Sequence, residues 1–139
     1  MALGRIRIVI STDGDIVVAR QSGRELAAQI GCSSTDATLI ATAISEVARN
    51  ILTHAGQGEV EMQAIGPDSN PHGEPSVEVI ARDGGPGIPD IDRAMQDGFT
   101  TGRGLGLGLP GARRLMDEFE ITSEAGKGTT IVMRKWRTR

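Results

Sequence analysis

Residues 83–88 read Asp83-Gly84-Gly85-Pro86-Gly87-Ile88 and follow an apolar run, residues 76–81, that predicts a β-strand. The stretch places a carboxylate at a strand end, where it could accept hydrogen bonds from the exocyclic amine of adenine. Gly85 and Gly87 let the main chain close around a base, and Ile88 supplies an apolar wall. An Asp-Gly turn without any ligand explains the same residues equally well. The other segments of the chain must therefore decide between a ligand site and an ordinary turn.

A second glycine-rich stretch, Gly104-Leu105-Gly106-Leu107-Gly108-Leu109, leads into a predicted helix over residues 105–119. Its unhindered N–H groups and the helix N-terminus suit phosphate oxygens. The spacing includes the G-x-G-x-x-G form of dinucleotide sites, but no strand precedes it and no βαβ unit frames it. It is not a P-loop either, because no Gly-Lys-Ser/Thr follows. The stretch predicts an anion-binding cradle of another kind.

Glu46 and Asn50 lie four residues apart on a second predicted helix, so both side chains project from one face beside its apolar stripe. A carboxylate there can take a hydroxyl proton or orient a water, and an amide oxygen is a suitable ligand for Mg²⁺ that bridges phosphates. Arg49 on the same helix and Arg103 can meet phosphate or an acidic partner. For these four residues a solvated polar surface is the competing interpretation.

The remaining periodicity predicts an α/β (α+β) fold, a two-layer sandwich in which helices cover one face of a mixed, mostly antiparallel sheet. We expect one domain over residues 1–139, with a functional lid at about residues 84–104 that includes a short helical turn at 91–95. The loop 66–75 is expected to have a floppy tip. The basic end, residues 134–139, is expected to be a solvated strand end, with partner docking as the alternative. The predicted elements are strands at 5–10, 59–65, 76–81, 120–123 and 129–135, and helices at 15–30, from Ser33 or Ser34 to about 55, and 105–119.

Composition narrows the function classes. The net charge of −3 and the 2% aromatic residues argue against nucleic acid as a partner. No run approaches the ~20 apolar residues that cross a bilayer, so no membrane association is expected. A single cysteine, Cys32, and the lack of a signal-peptide pattern favour the cytoplasm.

Four segments together resemble the N, G1, G2 and G3 boxes of the GHKL superfamily of ATP-binding domains. They are Glu46-x-x-x-Asn50, Asp83-x-Gly85-x-Gly87-Ile88, Gly104-x-Gly106-Leu107-Gly108-Leu109 and Gly126-x-Gly128-Thr129. The resemblance implies ATP and Mg²⁺ as cofactors. It further implies Glu46 as the base, Asn50 as the Mg²⁺ ligand, Asp83 as the adenine reader and Thr129 as a helper on the adenine side.

The surroundings of the boxes resemble the compact serine/threonine protein kinase branch of this superfamily. Sensor histidine kinases need a dimerisation domain with an acceptor histidine, and His54 and His72 do not fit that role. The branch contains stressosome switch kinases, which phosphorylate STAS-domain scaffold or antagonist proteins and then activate an effector such as a phosphatase. It also contains SpoIIAB-type anti-sigma factors, which sequester a partner and remain the alternative. A stand-alone ATPase is the third and least supported interpretation.

Overall fold

The computed structural model describes residues 4–69, 71–88, 95 and 108–138. Five strands form one sheet in the order β1-β2-β3-β5-β4, and every pairing among them is antiparallel. Helices pack on one face of this sheet, which confirms the predicted two-layer α+β architecture. The elements are β1 (Ile6–Ile10), α1 (Asp13–Gln29), α2 (Ser34–His54), β2 (Gly58–Ile65), a 3-10 turn (Pro67–Ser69), β3 (Ser76–Asp83), α3 (Gly108–Leu115), β4 (Glu118–Glu124) and β5 (Gly128–Trp136).

The core lies between the helices and the inner face of the sheet. Most of the apolar stripe of α2 is buried there, and each of its buried isoleucine and valine side chains contributes roughly 1.5–3 kcal/mol through burial. Gly23 lets α1 approach α2 closely, because a Cβ at this position would overlap the Ile44 side chain. The largest buried side chains are Ile10, Leu26, Ile40, Ile44, Val47, Ile51, Val60, Met62, Val77, Val79, Ile131 and Met133.

Capping residues set the first helix boundaries. α1 begins two residues earlier than predicted because Thr12 and Asp15 form a capping box. The Asp15 N–H donates to Thr12 Oγ1 at 3.3 Å, and the Thr12 N–H donates to Asp15 Oδ2 at 3.0 Å. Ser33 caps α2 by accepting from the Asp36 N–H at 3.0 Å. Of the two serines considered as the cap, Ser33 is therefore the one used.

The prediction for the third helix is wrong at its C-terminal end. The helix ends at Leu115, and Phe119 belongs to strand β4. The Asp117 N–H donates to the Arg134 carbonyl at 2.9 Å, and the Asp117 carboxylate accepts from the Trp136 N–H at 2.9 Å. Pairing with β5 therefore overrides the helical spacing of the apolar residues. The predicted turn at 91–95 lies outside the described residues except for Met95.

The basic end is also not a solvated strand end. The Arg137 guanidinium lies 2.9 Å from Glu74 Oε1, and its Nη1 donates to the Ile30 carbonyl at 3.1 Å. The Thr138 N–H donates to Asp36 Oδ2 at 3.1 Å. We call the contacts of Arg137 and Thr138 with Glu74, Ile30 and Asp36 the C-terminal clasp. Because the clasp joins β5 to the loop before β3, to the end of α1 and to the start of α2, it anchors the Glu74 end of the loop 66–75. The floppy tip expected for this loop stays a prediction.

Beside the clasp, the ring of His72 stacks on the indole of Trp136 with centroids 4.6 Å apart and an interplanar angle of 26°. Together with the clasp they line an open depression of about 370 Å³. The outer sheet face carries ion pairs, among them Arg7–Glu59 at 2.8 Å and Arg134–Glu78 at 2.8 Å. Within the described part of the chain, no helix combines the length and apolar character that a membrane span requires.

Candidate functional site

One row of residues crosses the sheet at the end opposite the clasp. Gly58 pairs with Asp83, Asp83 pairs with Thr129, and Thr129 pairs with Ser123. Side chains that are direct cross-strand partners point to the same side of a sheet. Residues two apart on a strand point to the same face of the sheet. Ala81 lies two residues before Asp83, Ile131 lies two residues after Thr129, and both are buried in the core. The row therefore faces the helices. We call this row, Gly58, Asp83, Thr129 and Ser123, the site row.

Asp83 is held by the turn that follows it. The Gly85 N–H donates to Asp83 Oδ1 at 3.0 Å, which fixes the carboxylate and leaves Oδ2 with no side-chain or backbone hydrogen bond among the described residues. A Cβ at Gly85 would lie 2.5 Å from Ala55 Cβ, so the glycine allows the turn to pack against the end of α2. The predicted position of Asp83 at a strand end is therefore observed, since it is the last residue of β3.

Two glycines with positive φ keep the turn close to the β4–β5 hairpin. Gly128 has φ +99°, and a Cβ there would overlap the Asp83 carbonyl oxygen. Gly87 has φ +83°, and a Cβ there would lie 2.5 Å from the Glu124 carbonyl oxygen. Both combine a left-handed backbone with a contact that leaves no space for a side chain, which is the setting that requires glycine. The main chain thus comes close to itself on both sides of Asp83.

Ile88 is buried and is pinned through its backbone. Its N–H donates to Ser123 Oγ at 2.7 Å, and the neighbouring Pro86 carbonyl accepts from the Gly126 N–H at 2.9 Å. Ser123 Oγ also lies 2.9 Å from Thr129 Oγ1. The structure therefore brings together Asp83, Gly85, Gly87, Ile88 and Thr129, all of which the sequence selected.

The second group of predicted residues lies on α2. Glu46, Arg49 and Asn50 are all half-buried on this helix. Burial raises the pKa of Glu46, while a hydrogen bond from the Gly108 N–H and the positive charge of Arg49 act in the opposite direction. Gly108 is the first residue of α3, so the helix N-terminus of the second glycine-rich stretch reaches the Glu46 carboxylate. A carboxylate at a helix N-terminus is in a favourable electrostatic position.

Packing of α2 connects the two groups. A Cβ at Gly58 in the site row would lie 2.8 Å from Ile51 Cγ2, and Ile51 follows Asn50 directly on α2. With the contact between Ala55 and Gly85, this places the second half of α2 against the site row. Gly104, Gly106, Leu107 and Arg103 lie outside the described residues, so their predicted roles stay predictions.

Ser123 is a member of the site that the sequence did not reveal. Its only signal is alternation within β4, where Ile121 and Ser123 take the inward positions and Thr122 and Glu124 are exposed. Alternation identifies the face but not the partners across the hairpin.

This chain belongs to the histidine kinase-like ATPase domain family, whose sequence pattern matches residues 10–135. The match confirms the expected resemblance to the GHKL superfamily. Two kinds of curated relatives then indicate which branch of the family this chain resembles. The chain is 50% identical over 127 residues to the serine/threonine-protein kinase RsbT of Bacillus subtilis (strain 168), with 91% of this chain and 92% of RsbT covered. It is 33% identical over 129 residues to the anti-sigma F factor of Geobacillus stearothermophilus, with 84% of this chain and 81% of that protein covered.

Solved structures show the same fold. The RsbU and RsbW domains of a Mycobacterium tuberculosis protein superpose with a TM-score of 0.60 at 24% identity, covering 99% of this chain. This chain spans about a third of that chain, 33%. The comparisons confirm the resemblance to the compact serine/threonine kinase branch, with anti-sigma factors as further relatives.

Proposed function

We propose that this chain is an ATP-dependent serine/threonine protein kinase that transfers the γ-phosphoryl group to STAS-domain scaffold or antagonist proteins of a stressosome. The observation that carries the proposal is the position of the half-buried Glu46 at the N-terminus of α3, one turn from Asn50 on the same helix. The 50% identity to a serine/threonine-protein kinase over nearly the whole chain supports the reaction class.

The site row supplies the adenine end of the pocket in this proposal. Asp83 Oδ1 is occupied by the Gly85 N–H, so Oδ2 accepts from the adenine amino group. Thr129 is 5% exposed and stands beside Asp83, where its hydroxyl assists on the adenine side. Gly85 and Gly87 bring the main chain to the base, and Ile88 forms an apolar wall.

The α2 residues face the phosphate end. Mg²⁺ commonly takes one or two protein oxygens together with substrate phosphates, and the Asn50 amide oxygen and Glu46 carboxylate are oxygen donors of that kind. Asn50 is the proposed ligand, and Mg²⁺, when bound, neutralises charge on the phosphates. The N-terminus of α3 lies beside this end, where the Gly108 N–H donates to Glu46, and Gly104, Gly106 and Leu107 extend the anion cradle from it in the proposal.

Glu46 acts as the base that accepts the proton of the acceptor hydroxyl. Its raised pKa makes it a stronger base than an exposed glutamate, while Arg49 helps keep it ionised near neutral pH. Arg49 also offers a charge to the transferring phosphoryl group. Most of the rate then comes from positioning and charge neutralisation, as in other phosphoryl transfers.

Incubation of the purified chain with Mg·ATP and candidate STAS-domain proteins tests the proposal. We expect phosphoserine or phosphothreonine on the partner with the wild type. Glu46→Gln and Asn50→Ala should abolish transfer, and Glu46→Gln should retain ATP binding. ATP binding without any phosphoprotein, across the partners tested, would contradict the kinase assignment and favour sequestration.

The switch part of the proposal follows from the same resemblance. After leaving its STAS partner, the chain binds and activates a downstream effector, such as a phosphatase, in the cytoplasm. Neither nucleic acid nor a membrane takes part. Co-purification of the chain with the effector should depend on the phosphorylation state of the STAS partner, and a constant yield would remove the switch.

The alternative function is a SpoIIAB-type anti-sigma factor that sequesters its target and uses nucleotide to select partners. The 33% identity to an anti-sigma F factor favours it as the second candidate. The two functions differ in the target: stable capture of a sigma factor by the ATP-bound chain supports the alternative, and catalytic phosphorylation of a STAS protein without such capture supports the first.

A further inference from the structure

Ser123 connects three parts of the site through a single hydroxyl. It accepts from the Ile88 N–H at 2.7 Å, and it lies 2.9 Å from Thr129 Oγ1 and 3.2 Å from the Gly128 carbonyl oxygen, either of which can accept its one proton. Ile88 ends the glycine-rich turn that follows Asp83, and Thr129 belongs to the site row. One side chain therefore links this turn to the residue beside Asp83.

The protons of the two hydroxyls allow two arrangements. A serine hydroxyl has one proton and two lone pairs, and the Ile88 N–H occupies one lone pair. In the first arrangement Ser123 donates to the Gly128 carbonyl and accepts from Thr129, so the Thr129 oxygen is left as an acceptor only. In the second, Ser123 donates to Thr129 Oγ1, which frees the Thr129 proton for a ligand.

We propose that Ser123 is a positioning residue that orients the Thr129 hydroxyl to donate to the ring nitrogen N1 of adenine and ties this contact to the Ile88 backbone in the turn after Asp83. The inference rests on the proposed function, because it needs adenine at the site row. Adenine presents a donor, its amino group, next to an acceptor, N1. An ionised Asp83 is an acceptor only, so it matches the amino group, and the second hydroxyl arrangement supplies the donor that N1 needs.

An ATP analogue that lacks N1 tests the proposed hydrogen bond between Thr129 and adenine directly. An ATP analogue with 1-deazaadenine carries C–H in place of N1 and therefore cannot accept from Thr129. The loss of the Ser123 hydroxyl should weaken ATP, which uses that contact, and leave the analogue almost unaffected. A residue that only supports the local fold would change the affinity of both nucleotides alike.

The experiment measures dissociation constants for both nucleotides by calorimetry, with urea midpoints recorded for each protein. Ser123→Ala should weaken ATP about tenfold, the expected effect of losing one hydrogen bond and its buried partner, and the analogue by less than about twofold. Ser123→Cys keeps the size with a weak donor and acceptor and should shift ATP in the same direction; it decides the matter if the alanine variant does not fold. Thr122→Ala, a neighbour with an exposed side chain on the opposite face, should change neither affinity.

Equal weakening of both nucleotides, or unchanged ATP affinity in the folded Ser123 variants, overturns the inference and leaves the proposed function intact. Failure of the wild type to bind ATP would instead remove the nucleotide site itself, and this inference would fall with it. Hydrogen exchange at the Ile88 amide adds a second readout. ATP should slow this exchange in the wild type, and the slowing should be largely lost in Ser123→Ala.

Discussion

The two ends of the sheet are built from different chemistry. At one end the site row consists of a glycine, a carboxylate and two hydroxyls, with glycine turns packed closely against it. At the other end the C-terminal clasp matches Arg137 with Glu74 and uses backbone groups for the remaining bonds. Polar groups at the clasp bind one another, whereas Asp83 keeps a carboxylate oxygen without a protein partner among the described residues. The contrast teaches that the polar groups of the clasp are satisfied within the protein, whereas the site row keeps an acceptor for the proposed ligand.

The largest expected effect is at Gly128, which packs against Asp83 of the site row. Gly128→Ala should destabilise the fold by about 3–5 kcal/mol, since it combines a strained positive φ with overlap on the Asp83 carbonyl. Gly126→Ala is the matched control, because Gly126 also has a positive φ of +77° but nothing within 4 Å of the added Cβ, and it should cost only about 1–2 kcal/mol. Urea unfolding measures both, and equal losses would show that strain alone acts at Gly128.

Arg137→Ala should break the clasp without touching the site. The Glu74 side chain is 5% exposed and that of Arg137 is 36% exposed. Because the pair is only partly buried, we expect the free energy of unfolding to fall by about 2–3 kcal/mol, less than for a fully buried pair. The affinity for ATP should stay unchanged. Arg5→Ala removes the exposed pair with Glu61 and should cost less than about 1 kcal/mol. A fall in ATP affinity for the folded Arg137 variant would mean that the two ends are coupled.

Asp83→Asn should have the opposite effect to Arg137→Ala: it should change the affinity for ATP and leave the stability of the fold nearly unchanged. The change places a donor-bearing amide where an acceptor is needed, so ATP affinity should fall about a hundredfold, the scale of a charge-assisted hydrogen bond. Stability without nucleotide should change by less than about 1 kcal/mol, because the Gly85 N–H keeps an oxygen acceptor. Asp13→Asn, at the exposed first turn of α1, serves as the control. Unchanged affinity in Asp83→Asn, measured by calorimetry, would remove Asp83 from the adenine site.

The smallest expected effect concerns pH. Because burial raises the pKa of Glu46 above its ordinary value of 4.5, the folded protein binds this proton more tightly than the unfolded chain does. Ionised Glu46 therefore opposes folding at neutral pH, and the cost fades as the pH falls through the raised pKa toward 4.5. Glu46→Gln should stabilise the fold at pH 7, by less than about 1 kcal/mol given the partial exposure of this group.

That gain should disappear at a pH below 4.5, where the wild-type carboxyl is protonated as well. Urea midpoints across this pH range measure it. Glu120→Gln, on an exposed position of β4, is the comparison variant. A stability difference for Glu46→Gln that does not change with pH would show that packing, and not the carboxylate charge, causes it.

The parts of the site that depend on local chain geometry could be predicted from the sequence. A carboxylate after an apolar strand and before a glycine turn defines Asp83 and Gly85 within a few residues. Ser123 could not be found in this way, because its role depends on the β4–β5 register and on the path of residues 86–88. Phe119 was assigned to a helix because its spacing is helical, and only pairing of β4 with β5 decides otherwise. Arg137 was taken as solvated because its partner, Glu74, lies 63 residues away in sequence.

Trp136 is the only tryptophan of the protein, and it lies beside the clasp with His72 stacked on its indole. Intrinsic fluorescence excited at the indole therefore comes from the end of the sheet that lies away from the site row. We expect its emission to change when the loop and the last strand are released during denaturation, and to stay the same when nucleotide binds at the proposed site. Tryptophan fluorescence should therefore follow unfolding of this protein independently of ligand binding at the site row.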